Sequence, residues 1–280
     1  MNKLDRETRA QILHLLCEGN SIRAVTRITG KSKNTVVKLL IDAGQACSEY
    51  HDKHVRGLMS KRIQCDEIWS FTYAKQKNVA TAKAAPAHAG DTWTWTAIDA
   101  DSKLVVLWLV GGRDSEYAMA FMDDLCSRLE ERVQLTTDGH KAYLEAVEGA
   151  FGADIDYAML VKLYGTAPEG QRRYSPPECI GAVKTTVEGK PDRRHVSTSY
   201  VERQNLTMRM HMRRFTRLTN GFSKKVENHA HSVALHFMYY NFVRIHKTLR
   251  VTPAMAAKVT DRLWEMADIV RVLEDWEDAR

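Results

Sequence analysis

The stretch IQCDEIWSF, residues 63–71, decides how the chain is read. Ile63, Cys65, Ile68, Trp69 and Phe71 are apolar or aromatic, the composition of a buried strand. Yet Asp66 and Glu67 sit side by side in its middle. Burying two carboxylates is costly unless a metal, a hydrogen-bond network or a solvated site offsets the loss of hydration. Successive strand residues face opposite ways, so only one of the pair is expected to join a site, and Asp66 is the choice.

Working outward, 63–73 reads as the first strand and 74–90 as an Ala/Lys-rich loop. Alternating Thr with Trp and Ile predicts a strand at 92–100, and Asp101-Ser102-Lys103 a tight turn into another at 104–110. Gly111-Gly112 closes this antiparallel meander. Residues 115–128 are amphipathic, with Ala118, Phe121, Met122 and Leu125 on one face. A fourth strand at 133–137 stops at Asp138-Gly139, a helix covers 143–147, and 155–163 reads as a fifth strand. A further helix begins near Ser199. This βββ-α-β-α-β-α order is that of an α/β, ribonuclease H-like fold.

The order gives Asp66 company. Asp138 stands at the C-terminal end of strand four, where α/β folds place their sites. Glu202 is the only acid between 193 and 225. Taken singly, each has a plain reading: a salt bridge for Asp66, a turn for Asp138-Gly139, and a capping box for Ser199-x-x-Glu202. Taken together, three carboxylates beside basic helices suggest a magnesium site, because magnesium takes oxygen ligands. Two such ions can activate an attacking oxygen and stabilise a leaving one in phosphoryl transfer.

The charge distribution points to a polyanion. Residues 1–62 carry 12 Lys/Arg against 6 Asp/Glu, and 193–225 carry 9 against one, within a net charge of +6. Asp5, Ser21 and Ser32 are placed to cap three short helices, with Gly30 ending the second and Gly44 the third. An N-terminal all-α, helix-turn-helix domain over 1–44 follows. Lys31, Lys33, Asn34 and Lys38 lie at or along its last helix, where such proteins meet base edges and phosphates. Residues 45–62 read as a linker, 63–225 as the catalytic domain, and 226–280 as a C-terminal helical segment. Arg209, Arg213 and Arg217 follow Glu202 at about one-turn intervals on what reads as one helix, able to track a DNA backbone. The five cysteines are scattered and form no zinc or disulfide pattern. No apolar run is long enough to span a bilayer, and the N-terminus lacks a signal-peptide core, so a cytoplasmic protein is expected.

At CDEIWSF, TWTWTAIDADSKLVV, TTDGHKAYLEAV and YVERQNLTMRMHMRRFTRLTNGFSK the sequence resembles the DDE transposases of bacterial insertion sequences, most closely the insertion-sequence-1 family. With the N-terminal helices, these motifs span the chain to about Lys225. The resemblance implies that Asp66, Asp138 and Glu202 form a metal-binding catalytic triad. It also implies Mg²⁺- or Mn²⁺-dependent cleavage at transposon ends, attack of the freed 3′-OH on target DNA, and a homo-oligomer assembled on double-stranded DNA at the bacterial nucleoid. The tail YYNFVRIHKTLRVTPA looks like the closing segment of several transposase families, which would put Asn241, Arg244 and His246 near the core. Read from its residues alone, the same tail is a helix end with a Pro-marked stop.

The 63 residues between Asp138 and Glu202 exceed the family's usual gap, and the excess is placed at about 149–192, with its Pro/Gly-rich GTAPEGQRRYSPPECIGAVKTTVEGKPD. Two other functions remain open: a non-catalytic, sequence-specific DNA-binding regulator derived from a transposase, and a stand-alone ribonuclease H-like nuclease or resolvase.

Overall fold

In the computed structural model the central strand, β1, is Arg62–Thr72. The structure describes residues 3–165, 177–216 and 219–280. β1 pairs antiparallel with β2, Gly90–Asp99, which pairs antiparallel with β3, Val105–Gly111, as the meander predicts. On its other side β1 runs parallel to β4, Gln134–Thr137, and β4 parallel to β5, Asp156–Tyr164. A strand not expected from sequence, β6 at Cys179–Glu188, pairs antiparallel with β5 and gives the order β3-β2-β1-β4-β5-β6. The region expected to be an insertion therefore supplies β5 and β6, and its residues 166–176 lie outside those described.

Three helices precede the sheet: α1, Arg6–Cys17; α2, Ile22–Thr29; and α3, Lys33–His54. Their caps are the expected ones, with Asp5, Ser21 and Ser32 accepting from Thr8, Ala24 and Thr35 amides at 2.7, 3.1 and 3.1 Å. Gly30 ends α2 in the left-handed region at φ 69°. The expected stop at Gly44 and linker at 45–62 are not what forms, because α3 continues through to His54. Glycine weakens a helix interior, which is why the sequence suggests a break there. Here it permits a close crossing. A Cβ on Gly44 would lie 2.4 Å from the Cβ of His231, on a later helix, and 2.5 Å from its carbonyl oxygen.

The remaining helices are α4, Gln76–Val79; α5, Ser115–Ser127; α6, Ala142–Phe151; α7, Ser199–His211; α8, Val226–Met238; α9, Pro253–Ala256; and α10, Met266–Asp278. α5 and α6 cover one face of the sheet, where Trp95 of β2 packs its ring against Phe121 and Tyr143. α7 and α8 cover the other, where Ile68 of β1 joins Val201, Met208 and Phe237. The N-terminal helices belong to the main core: Ile12, Leu13 and Leu40 share one buried cluster with Leu235, Met238 and Leu273. Among the described residues no helix is long and apolar enough to cross a membrane.

Candidate metal and DNA site

The last paired residues of β1 and β4 are Gln64 and Thr136. Beyond them the parallel strands part, and Asp66 and Asp138 face one another across the opening. Single oxygens of Asp66, Glu67 and Asp138 all lie within 4.8 Å of one another, an arrangement that could hold a metal ion. Sequence reasoning expected only one of Asp66 and Glu67 to take part. The two do leave the strand toward opposite faces, but at the end of a parting pair both reach the same point.

Different partners hold the two. Asp66 Oδ2 accepts from Asn205 Nδ2 of α7 at 2.8 Å, and its Oδ1 from the Glu67 amide at 2.9 Å. Glu67 Oε2 accepts from Arg113 Nε at 3.0 Å, and the same guanidinium reaches Asp138 at 3.7 Å while lying over the Trp93 ring. Burial pushes the Asp66 carboxyl up to about 7, helped by the charges of Glu67 and Asp138. Burial also pushes Glu67 up to about 7, against the nearby Tyr143 hydroxyl and Arg113, which favour its charged form. Tyr143's hydroxyl and Glu67 Oε1 are both buried, and neither has a hydrogen-bond partner among the described residues. Carboxylates so placed carry too little compensating positive charge, and a bound cation would supply it.

Glu202 lines the same cleft, of about 760 Å³, with Asp66, Asp138, Arg113 and Lys162. It stands outside the close trio, in an ion pair with Lys162 of β5 and accepting from the Thr198 hydroxyl. The Ser199–Glu202 capping box, the plain alternative for that spacing, does not form. Thr198 occupies the N-cap with its hydroxyl bonded to Glu202 rather than to a helix amide, and the Tyr200 and Val201 amides in the first turn of α7 donate to Gln64 Oε1 at 2.8 and 3.2 Å. The buried Gln64 side chain of β1 thus ties the start of α7, and Glu202 with it, to the strand that carries Asp66.

The expected DNA contacts divide. Lys33, Asn34 and Lys38 are exposed along α3 and Lys31 is half-buried before it; Lys38 pairs with Asp42 at 2.5 Å. Arg209 lies in the last turn of α7. Arg213 is not on that helix, as the sequence suggested. The chain turns extended at Met212, and Arg213–Phe215 is a separate 3₁₀ turn. Arg217 lies outside the described residues. In the tail, Asn241 is fully buried and its amide pairs with both backbone groups of Val105 at 2.9 Å, so it pins the tail to β3. Arg244 and His246 line a second cleft with Lys103 and Arg203, on the flank of α7.

Arg113, Lys162, Asn205 and Gln64 were not singled out from sequence. Only Asn205 carried a signal, a polar residue three positions after Glu202 on a helix. The others arrive through strand pairing.

No protein-family profile and no curated protein matches the sequence. Among solved structures, the Mos1 transposase paired-end complex with left transposon end aligns over 53% of this chain and 58% of that one, at 15% identity and a TM-score of 0.21. The chain thus spans 58% of the length of that Mos1 chain. The piggyBac transposase synaptic complex with hairpin DNA aligns over 100% of this chain and 72% of that one, at 7% identity and a TM-score of 0.45. The Mos1 strand transfer complex aligns over 85% and 76%, at 12% identity and a TM-score of 0.24. All three of these solved structures are of DNA transposases.

Proposed function

We propose that the protein is a DNA transposase with a ribonuclease H-like catalytic core, of the DDE type found in bacterial insertion sequences and acting in the cytoplasm. The observation that carries this reading is the convergence of Asp66 and Asp138 just past the paired stretch of two parallel strands, with Glu202 in the same cleft. Its substrate is double-stranded DNA, the element's ends and the target, bound by a homo-oligomer. Asp66, Asp138 and Glu202 would hold Mg²⁺ or Mn²⁺, two ions by the needs of phosphoryl transfer, and these would supply activation of the attacking oxygen and stabilisation of the leaving one. Asn205 fixes the rotamer of Asp66, Arg113 ties Asp138 to Glu67, and Gln64 fixes the start of the helix carrying Glu202. The helix-turn-helix reading of α1–α3, with Lys31, Lys33, Asn34 and Lys38 toward DNA, belongs to the same proposal, as do Arg209, Arg213 and Arg217.

The test is cleavage and strand joining by the purified chain on duplexes carrying the inverted repeats that flank its gene, with Mg²⁺ or Mn²⁺. End-specific nicking that Asp138→Asn removes supports the proposal. Binding to those ends without metal-dependent cleavage would make the protein a regulator, and cleavage indifferent to the ends would make it a nuclease.

A further inference from the structure

The two basic segments, within 1–62 and 193–225, meet in one cleft. Arg23 of α2 and Lys33 of α3 line one side; Arg213, Arg214 and Lys224 line the other, around about 640 Å³. Among the described residues no carboxylate lines it. Its walls are fixed to each other. The turn between α1 and α2 abuts the end of α7, where a Cβ on Gly19 would come within 3.3 Å of the Met210 carbonyl oxygen. Tyr239 Oη, beyond α8, donates to Glu18 of the same turn at 2.6 Å.

Arg214 is the telling residue. Its side chain is largely enclosed, donates to the Ser223 hydroxyl at 2.6 Å, and among the described residues has no carboxylate partner. The two arginines in the buried class do have acidic partners: Arg9 has Glu277, and Arg128 has Asp52 and Asp124. A sheltered guanidinium without a counter-charge is a place for an anion to dock, and its planar fork suits phosphate oxygens.

We propose that this cleft is a binding site for the phosphodiester backbone of duplex DNA, bridging the N-terminal helices and the far end of α7. It rests on the reading of the protein as DNA-binding, not on catalysis. From Glu202 to Met212 the α-helical rise is ~15 Å, so with one phosphate per strand for every ~3.4 Å of duplex axis the cleft sits about four to five nucleotides from the carboxylates along a duplex parallel to α7. One copy of the chain can then hold, on one duplex, both the phosphates near the carboxylates and those beside α3.

The test measures fluorescence anisotropy of a labelled 20-base-pair duplex of arbitrary sequence against salt, using the full chain. Arg213→Ala and Lys224→Ala, both at exposed positions, should each reduce the slope of log K against log salt by about 0.9, and Arg214→Met by as much. Arg271→Ala, on α10 away from the cleft, should leave the slope unchanged. Unaltered slopes in folded Arg213→Ala and Lys224→Ala overturn the proposal, as does an equal loss in Arg271→Ala. If Arg214→Met does not fold, the two exposed variants decide alone. Thermal protection of the wild type by millimolar inorganic phosphate, with duplex slopes unmoved by the variants, would make this a free-phosphate site and also overturn it. Cleavage is not read, so a failure of the transposase reading and a failure of this cleft are told apart.

Discussion

Asp66 and Asp138 stand at equivalent places on neighbouring parallel strands, each two residues past the last pair, Gln64 with Thr136. The pairing delivers both side chains to the same opening. Asp66→Asn and Asp138→Asn keep the shape of the side chain but remove its charge. Either should reduce metal-dependent strand cleavage to background while leaving gel-shift affinity for DNA within a few-fold of wild type. Retained cleavage in Asp66→Asn with loss in Glu67→Gln would transfer the ligand role to Glu67.

Asn205 touches Asp66 and, in the proposed scheme, would not touch substrate. Outer-shell partners of metal ligands typically cost about 10–100-fold in metal affinity when removed. Asn205→Ala should therefore raise the Mg²⁺ concentration needed for half-maximal cleavage by that factor, and excess Mg²⁺ should restore most of the rate. A lowered maximal rate with unchanged metal dependence would contradict a role through Asp66.

The Asp66–Glu67 pair should favour the metal-free fold less as pH rises. The Asp66 and Glu67 carboxyls are pushed up to about 7 in the fold, from ordinary values of 3.8 and 4.5 in the unfolded chain. The folded state therefore binds protons more tightly than the unfolded state. The stabilisation is fully present below about pH 4 and is lost as pH climbs through 7. The buried His51, His229 and His236, held down to about 3, add an opposite trend common to wild type and variant, so the readout is a difference: in chelator, the melting temperature of wild type should fall relative to that of Asp66→Asn between pH 5 and pH 8. A wild-type-minus-variant difference that stays constant or grows over that window would show that Asp66 is not held protonated.

Glu202 and Lys162 form an ion pair whose side chains are each about one-third exposed, so it is worth only about 0–1 kcal/mol. Lys162→Met should change the melting temperature little. Glu202→Gln should also fold, yet lose cleavage if Glu202 is the third ligand. A folded Glu202→Gln variant that joins strands at the wild-type rate would leave Glu67, already beside Asp66 and Asp138, as the third carboxylate.

Gly44 separates an embedded α3 from a hinged one. In a linker or an open helix, Gly44→Ala would be neutral or would stabilise by about 1 kcal/mol. Against the backbone of His231, 2.5 Å from the added methyl, it should instead cost about 1–3 kcal/mol through overpacking. Urea denaturation measures the sign.

The meander, the helices at 115–127 and 142–151 and the three N-terminal caps were legible because each is written locally, in alternation, periodicity or a capping side chain. Asp66 and Asp138 were legible because a charge in an apolar strand and a carboxylate at a strand end stand out. What was not legible depends on partners distant in sequence. Gly44 reads as a break until α8 is seen crossing it. β6 is exposed along almost its whole length, so it shows no apolar pattern and forms by pairing to β5. Arg213 keeps helical spacing on paper, but the helix ends before it.

The start of α7 shows the same dependence, and one pair of substitutions exposes it. The sequence offers Ser199 as the cap, whereas the structure gives the work to Gln64, whose Oε1 takes the Tyr200 and Val201 amides from the neighbouring strand. Ser199 Oγ instead accepts from the Ser197 hydroxyl, outside the helix. Ser199→Ala should therefore leave stability and cleavage near wild type. Gln64→Ala strands two amides at a buried helix start and should cost about 0.5–2 kcal/mol, the scale of a lost cap. It should also lower cleavage by more than its loss of stability explains, because Glu202 stands in the first turn of α7, the turn that Gln64 holds. Gln64→Glu keeps the acceptor and should preserve the helix start. If Ser199→Ala proves the more damaging of the two alanine variants, α7 is capped from within, and β1 does not set the position of Glu202.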